Sequence, residues 1–408
     1  MKLSIIKKTS LAVLTLTVAS LLYAYDFLVR VGPGVLMPDT ILNTGLSQHE
    51  VIITNSLFYY GYAFMQIPAG VLIDHYGPKK MLIAGATAAG LSMILIPLTP
   101  HFWTMSLLRF ICGAGVSIAY IAPLIYAHYK VDRKYFAMIG GCIQIFGSFG
   151  AIMGTLPVSI MLTSYGWGAT NVLIGIIGIA CGILFLTLHN IATKTQRSFT
   201  DEWNGLKDIT QHLYTWLFGM LGLILWSPML VIAENLGVSL LEARHIPHAK
   251  ASLFILVMWL CSGLAGPFMG LWSHGSNRQR FRVINTGLSL CLIGVIGFIY
   301  LPKFVPWLWI MFSVLMGSGS ATQCVVFGLI DDVTSEAKLA TAIGFQNMCI
   351  SLAGLIILPV ISLVATKLPL LHSSSVSLTQ TFQESMLVLP FVLVMGLIAS
   401  KTCEKRLA

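Results

Sequence analysis

Apolar residues along this chain fall in unbroken runs, each about as long as a bilayer is thick. A helix needs roughly 20 consecutive apolar residues to cross the hydrocarbon layer. Runs of that kind begin near Leu11, Val51, Met81, Phe102, Phe136, Gly168, Thr215, Ala251, Val283, Phe304, Leu339 and Glu384, which predicts twelve transmembrane helices. The strands of an outer-membrane barrel would alternate over about ten residues, and these runs do not. The first follows Lys2, Lys7 and Lys8, as the core of a secretory leader would. It continues through Tyr25 to Leu36 with no small-x-small cleavage site, so it reads as the first span.

Polar residues between the runs orient them. Lys and Arg gather after helix 2 (Lys79, Lys80), helix 4 (Lys130, Arg133, Lys134) and helix 8 (Arg278, Arg280, Arg282), in the central stretch and at both ends. The opposite side holds Arg244, Lys250, Lys303 and Lys367. This asymmetry predicts both termini in the cytoplasm and accounts for the net charge of +9 without a nucleic-acid partner. Only 10% of the residues are charged, against about 25% in soluble domains, and the connecting loops leave no room for an enzyme domain outside the bilayer. The eight cysteines show no metal or redox spacing, and the ten histidines fall at helix ends or in loops. Neither a phosphate-cradling loop nor a nucleophile elbow is present. These features predict no enzyme, no metal and no cofactor, with an ion gradient rather than ATP as the energy source.

The chain also repeats itself. Gly70-Val-Leu-Ile-Asp74, followed by Lys79 and Lys80, has a counterpart 200 residues on in Gly270-Leu-Trp-Ser-His274, followed by Arg278 and Arg280. Gln144 and Pro157 in helix 5 match Gln346 and Pro359 in helix 11 at an offset of 202. Internal duplication is common in carriers. It predicts an all-α integral membrane protein of two pseudo-symmetric six-helix bundles, residues 1–190 and 214–408, joined by a central cytoplasmic loop over 191–213.

Gly70-x-x-x-Asp74-x-x-Gly77-x-Lys79-Lys80 resembles the signature loop of the major facilitator superfamily, and Arg109-x-x-x-Gly113 is similar to that superfamily's helix 4 motif. The resemblance covers essentially the whole chain. It implies that Asp74 caps the N-terminal end of helix 11, where the helix dipole is positive, and that Gly70, Gly77, Lys79, Lys80, His274, Arg278 and Arg280 belong to the gating loops. Tyr25-Asp26-Phe27-Leu28-Val29-Arg30, Phe58-Tyr59-Tyr60, Met65-Gln66-Ile67-Pro68 and Gly344-Phe345-Gln346-Asn347-Met348 resemble a bacterial branch with phagosomal amino-acid transporters and relatives of lysosomal dipeptide carriers. Three positions depart from the superfamily pattern. His274 stands where the second loop often has Asp, helix 5 lacks the Gly-Pro pair of antiporters, and Trp167 is followed by Gly168 where an arginine is frequent.

Ionisable residues inside a bilayer are costly, about 2.5 to 3.5 kcal/mol each on insertion scales, and mark function by default. Asp26 and Arg30 lie four apart on helix 1, in ion-pair order. Two readings stand. Arg30 receives a substrate carboxylate or phosphate through its planar fork, with Asp26 taking an amino group or the coupling proton. Otherwise the two form a self-neutralised structural pair. Asn55, Tyr59, Tyr62 and Gln66 make a polar stripe along one face of helix 2, facing either a cavity or an interhelical seam. Gln323, Gln346 and Asn347 are cavity amides of the second half. Arg109 is either the coupling arginine or a partner of neighbouring carbonyls. Glu234 is an outer-gate or proton-coupling candidate, and Asp331 and Asp332 read as solvated gate charges.

Together these residues predict a secondary transporter for a small polar nutrient bearing a carboxylate, an amino acid, short peptide or organic anion, moved with a proton. Export of a siderophore-like or drug-like compound is the alternative, and a non-transporting membrane receptor the second. The partners expected are the substrate, a proton and lipid, with the carrier monomeric. Short loops and the absence of any Asn-x-Ser/Thr sequon suit a bacterial inner membrane.

Overall fold

Ten segments of the computed structural model are long and apolar enough to cross a bilayer among the described residues, which are 2–190, 199–301, 305–371 and 383–407. One of the ten, 133–187, holds two spans, because Gly166 at φ 78° breaks the helix there. A further 29-residue helix, α2 (Gln48–Tyr76), lies outside the ten. The chain is thus an all-helical, multi-pass integral membrane protein of ten to twelve spans. Large apolar side chains such as Phe64, Trp103 and Phe268 are exposed, as expected where the solvent is lipid.

Helix α1 (Lys2–Thr44) carries Pro33 and Pro38 within its length. Helix α2 starts with a capping box: Glu50 N–H donates to Ser47 Oγ, and Glu50 Oε2 accepts from Ser47 N–H at 2.8 Å. It stops at Gly77, whose φ of 83° a β-carbon would disfavour. Pro78 then opens α3 (Pro78–Leu95), at a position where a missing N–H costs nothing. The fourth span is α4 (Phe102–Val116) and α5 (Ile121–Lys130) with a break between them.

Helix α6 (Phe136–Met153) is followed by α7 (Leu156–Leu184). Pro157 therefore sits in the first turn of α7, within the fifth span, after a break at Gly154–Thr155. Central residues 199–211, expected to be loop, form the amphipathic helix α8 (Phe199–Gln211), and the rest of that loop, 191–198, lies outside the described residues. Ile209 is buried, α8 packs on α2, and Asp208 pairs with Lys338 at 2.6 Å. That hydrogen bond holds the Asp208 carboxyl below its ordinary range.

The remaining helices are α9 (Leu213–Pro228), a π-helical stretch over Met229–Leu236, α10 (Gly237–Glu242), α11 (His248–Trp272) and α12 (Asn277–Tyr300). They continue with α13 (Pro306–Ser320), α14 (Gln323–Val333), α15 (Leu339–Leu371) and α16 (Val388–Leu407). The chain forms two compact units: residues 1–136, 146–212 and 333–348 in the first, and 137–145, 213–332 and 349–408 in the second. Helices α6 and α15 thus supply residues to both.

Candidate functional site

Within the first unit, Asp26 and Arg30 meet as their spacing predicts. Arg30 Nη2 donates to Asp26 Oδ2 at 2.9 Å and to Oδ1 at 3.1 Å, and the Asp26 side chain is fully buried. Aromatic rings surround the guanidinium, with its central carbon 4.4 Å from the Tyr62 ring centre and 4.6 Å from that of Phe27. Phe58 and Tyr59 stand further off, at 5.8 and 6.0 Å. Each such contact is worth about 0.5 to 2 kcal/mol for a cation over an aromatic face.

The polar stripe of α2 then joins this pair to α15. Asn347 Nδ2 donates to Tyr62 Oη at 3.2 Å and to Gln66 Oε1 at 3.0 Å. Asp26, Arg30, Tyr59, Tyr62, Gln66 and Asn347 therefore form one cluster of charge, amides and phenols. Its members can hold a carboxylate, an ammonium group and hydroxyls at once. Gln346 is buried beside Asn347 on α15. Asn55 instead lines a cleft with Arg109. Gln323 lies in the second unit, as does Glu234 in the π-helical stretch.

Asp74 lies on the same unit's α2, two turns beyond Gln66. Its Oδ1 accepts from Ala340 N–H at 3.2 Å, and its Oδ2 accepts from Thr341 N–H at 2.9 Å and Thr341 Oγ1 at 2.7 Å. A carboxylate is thus placed on the unsatisfied donors that open α15. Gly70 lets the two helices approach: a β-carbon there would meet Ala340 O at 2.5 Å, and one on Gly344 would meet Gln66 O at 2.4 Å. Gly344→Ala is expected to lower thermal stability by about 1 to 3 kcal/mol, the usual penalty for overpacking. Gly34→Ala, with nothing within 4 Å of the new atom, is expected to be neutral or slightly stabilising. Thermal unfolding of the two variants checks the contrast, and equal effects would remove the crossing from the account.

The other residues expected in the gating loops divide. Lys79 Nζ donates to Leu186 O at 2.7 Å, while Lys80, His274 and Arg278 lie on the surface. In the second unit Arg280 donates to Gly328 O at 2.7 Å and pairs with Asp332. Asp331, read from the sequence as solvated, is only 1% exposed, because it ends a stretch of α14 that is buried on every face from Gln323 onward. Thr341 escaped sequence reading because it belongs to no motif, and the gathering of Phe27, Phe58, Tyr59 and Tyr62 around Arg30 escaped it because it depends on how α1 packs on α2.

Residues 19–358 match the family profile of the Major Facilitator Superfamily. Among curated proteins, the chain is 27% identical over 172 residues to a probable sulfoacetate transporter of Cupriavidus necator, a match spanning 42% of this chain and 40% of the relative. It is 26% identical over 221 residues to a potential vesicular glutamate transporter of Caenorhabditis elegans, spanning 52% of this chain and 37% of the relative. Both matches therefore cover less than half of the relatives' own length. Among solved structures, the Escherichia coli fucose:proton symporter has the same fold, with a TM-score of 0.68, 16% identity and coverage of 94% of this chain and 98% of the other.

Proposed function

Because this chain belongs to the Major Facilitator Superfamily, we propose that it is a secondary carrier moving a small carboxylate-bearing nutrient, an amino acid, short peptide or other organic anion, by alternating access and proton symport. It is a membrane transporter and not an enzyme. The observation that carries the substrate reading is the convergence of the Asp26–Arg30 pair with Tyr62, Gln66 and Asn347. Arg30 takes the carboxylate through its planar fork. Tyr62, Gln66 and Asn347 take the remaining polar groups. Asp26 is the group that gains and loses the coupling proton, because Arg30, on turning to the substrate, leaves this buried carboxylate without its ion-pair partner.

Two relatives support an anionic substrate by name. One is a probable sulfoacetate transporter and the other a potential vesicular glutamate transporter, and sulfoacetate and glutamate both bear a carboxylate. The fucose:proton symporter supports the fold on which symport is built. The topology belonging to this reading has both termini in the cytoplasm and two pseudo-symmetric six-helix bundles, 1–190 and 214–408, in a bacterial inner membrane.

Uptake into proteoliposomes tests the reading. A pool of labelled amino acids, dipeptides and small organic acids is offered with and without an inward proton gradient. Accumulation of a carboxylate compound that collapses with a protonophore is expected. Equilibration without accumulation would replace symport by uniport, and no flux from folded protein would overturn the import reading.

A further inference from the structure

Buried and half-buried guanidinium groups in a membrane protein need their charge answered, and in three of the four cases among the described residues the answer is plain. Arg30 has Asp26, and Arg280 has Asp332. Arg244 donates to the carbonyls of Phe298, Ile299 and Leu301 at the end of α12, where the helix dipole is negative. Arg109 is different. Its residue is 3% exposed, and no carboxylate lies within ion-pair distance of it among the described residues.

The contacts Arg109 does make account for its position but not for its charge. Nη1 donates to Val29 O at 3.1 Å. That carbonyl is available because its intrahelical donor would be residue 33, a proline with no N–H. The guanidinium also rests 4.8 Å from the Phe58 ring centre. One neutral carbonyl, the Met93 thioether at 3.9 Å and one ring leave a net positive charge, and Nε has no hydrogen-bond partner among the described residues.

Arg109 borders a small, partly open cleft in the first unit, about 20 Å³ in volume, room for a single water-sized occupant. Thr40, Thr54, Asn55, Trp167 and Asn171 are among its walls. Those polar walls are already tied in place. Trp167 Nε1 donates to Thr40 Oγ1 at 2.8 Å, Asn171 Nδ2 donates to Trp167 O at 2.9 Å, and the Thr54 and Ser106 hydroxyls share a hydrogen bond at 3.1 Å. The cleft lies where α2 and α4 begin and where α7 resumes after Gly166, so the helix starts around it favour negative charge.

We propose that this cleft is a site for a small monovalent anion, an inorganic halide or a lone carboxylate group, held by Arg109 with Asn55 and Asn171 beside it. The site is distinct from the Arg30 cluster and does not depend on the function proposed above. It gives Arg109 the counter-charge that the protein withholds.

Thermal unfolding of the purified full-length chain tests it, with sodium acetate and sodium chloride titrated separately. Wild type, Arg109→Gln, Arg109→Lys, Asn171→Leu and Arg30→Gln are compared at each concentration, so that general salt effects cancel. A saturable rise in unfolding temperature is expected in wild type and Arg30→Gln, as for any ligand that binds the folded state. In Arg109→Gln the apparent affinity is expected to fall at least about tenfold, the loss of one charge-assisted contact. Arg109→Lys keeps the charge and is expected to keep part of the response. If Arg109→Gln does not fold, weakening in Asn171→Leu carries the test. A response to acetate alone identifies a carboxylate site, and a response to both anions a general one. No response in wild type, or the same response in Arg109→Gln and Asn171→Leu, would overturn the proposal. Loss in Arg30→Gln with retention in Arg109→Gln would place the anion at the central cluster, which would support the functional reading and sink this one.

Discussion

Replacing Asp74 with alanine is expected to cut transport at least tenfold in protein that still folds, measured as initial uptake per reconstituted carrier. The carboxylate accepts three hydrogen bonds from two consecutive residues at the start of α15. Hydrogen bonds to a charged group are worth about 1.5 to 3 kcal/mol each, and the helix terminus adds about 0.3 to 2 kcal/mol. Even a fraction of that sum shifts a conformational equilibrium by one to three decades, since each 1.4 kcal/mol is tenfold. A carrier needs the states joined by this contact and freed from it to be close in energy, so a large shift in either direction slows the cycle. Graded variants separate this account from general damage. Thr341→Val removes one side-chain bond and keeps both backbone donors, so its effect should be smaller than that of Asp74→Ala. Asp74→Asn keeps an acceptor without the charge and should fall between them. Wild-type uptake in Asp74→Ala, or an equal loss in Thr341→Val, would show that capping of α15 is not what the residue does.

The second large effect concerns Asp26 and Arg30. Truncating Arg30 to alanine leaves a fully buried carboxylate without its ion-pair partner, a change that costs about 3 to 5 kcal/mol in buried pairs. Both stability and uptake should therefore fall in Arg30→Ala. The double variant Asp26→Asn with Arg30→Gln removes both charges and keeps a polar side chain, shorter at position 30, so its stability is expected to recover most of the loss seen in Arg30→Ala. Its uptake is expected to stay lost, because the amide of Gln cannot replace a guanidinium fork on a carboxylate. Unfolding temperature and uptake measured on the same preparations give the decision. If the double variant carries substrate with wild-type affinity, the pair is a structural one. Asp26→Asn alone tests the proton. Accumulation with an unchanged pH dependence would take that role away from Asp26.

Membrane insertion, the approximate number of spans and the Asp26–Arg30 pair were legible in the sequence because each is local. A span is a run of apolar residues long enough for the bilayer, and an i,i+4 pair on a helix has little choice of geometry. The turn at Gly77-Pro78 was equally local. Helix α8 was missed because its amphipathic pattern is short and polar, and its docking depends on Lys338, 130 residues from Asp208.

The partners that turn these local features into a site come from far along the chain. Asn347 reaches Tyr62 across 285 residues, Asp74 reaches Thr341 across 267, and Arg109 reaches Val29 across 80. No periodicity encodes such contacts. They arise when glycines such as Gly70 and Gly344 let helices approach and when a proline leaves a carbonyl for a distant arginine to take. The sequence by itself determined that this protein lives in a bilayer, that Asp26, Arg30 and Arg109 lie inside it, and where several of its helices turn. Only the tertiary structure decided that Arg30 is neutralised while Arg109 is not, because charge compensation depends on distance in space, and hydropathy along a chain contains no such distance.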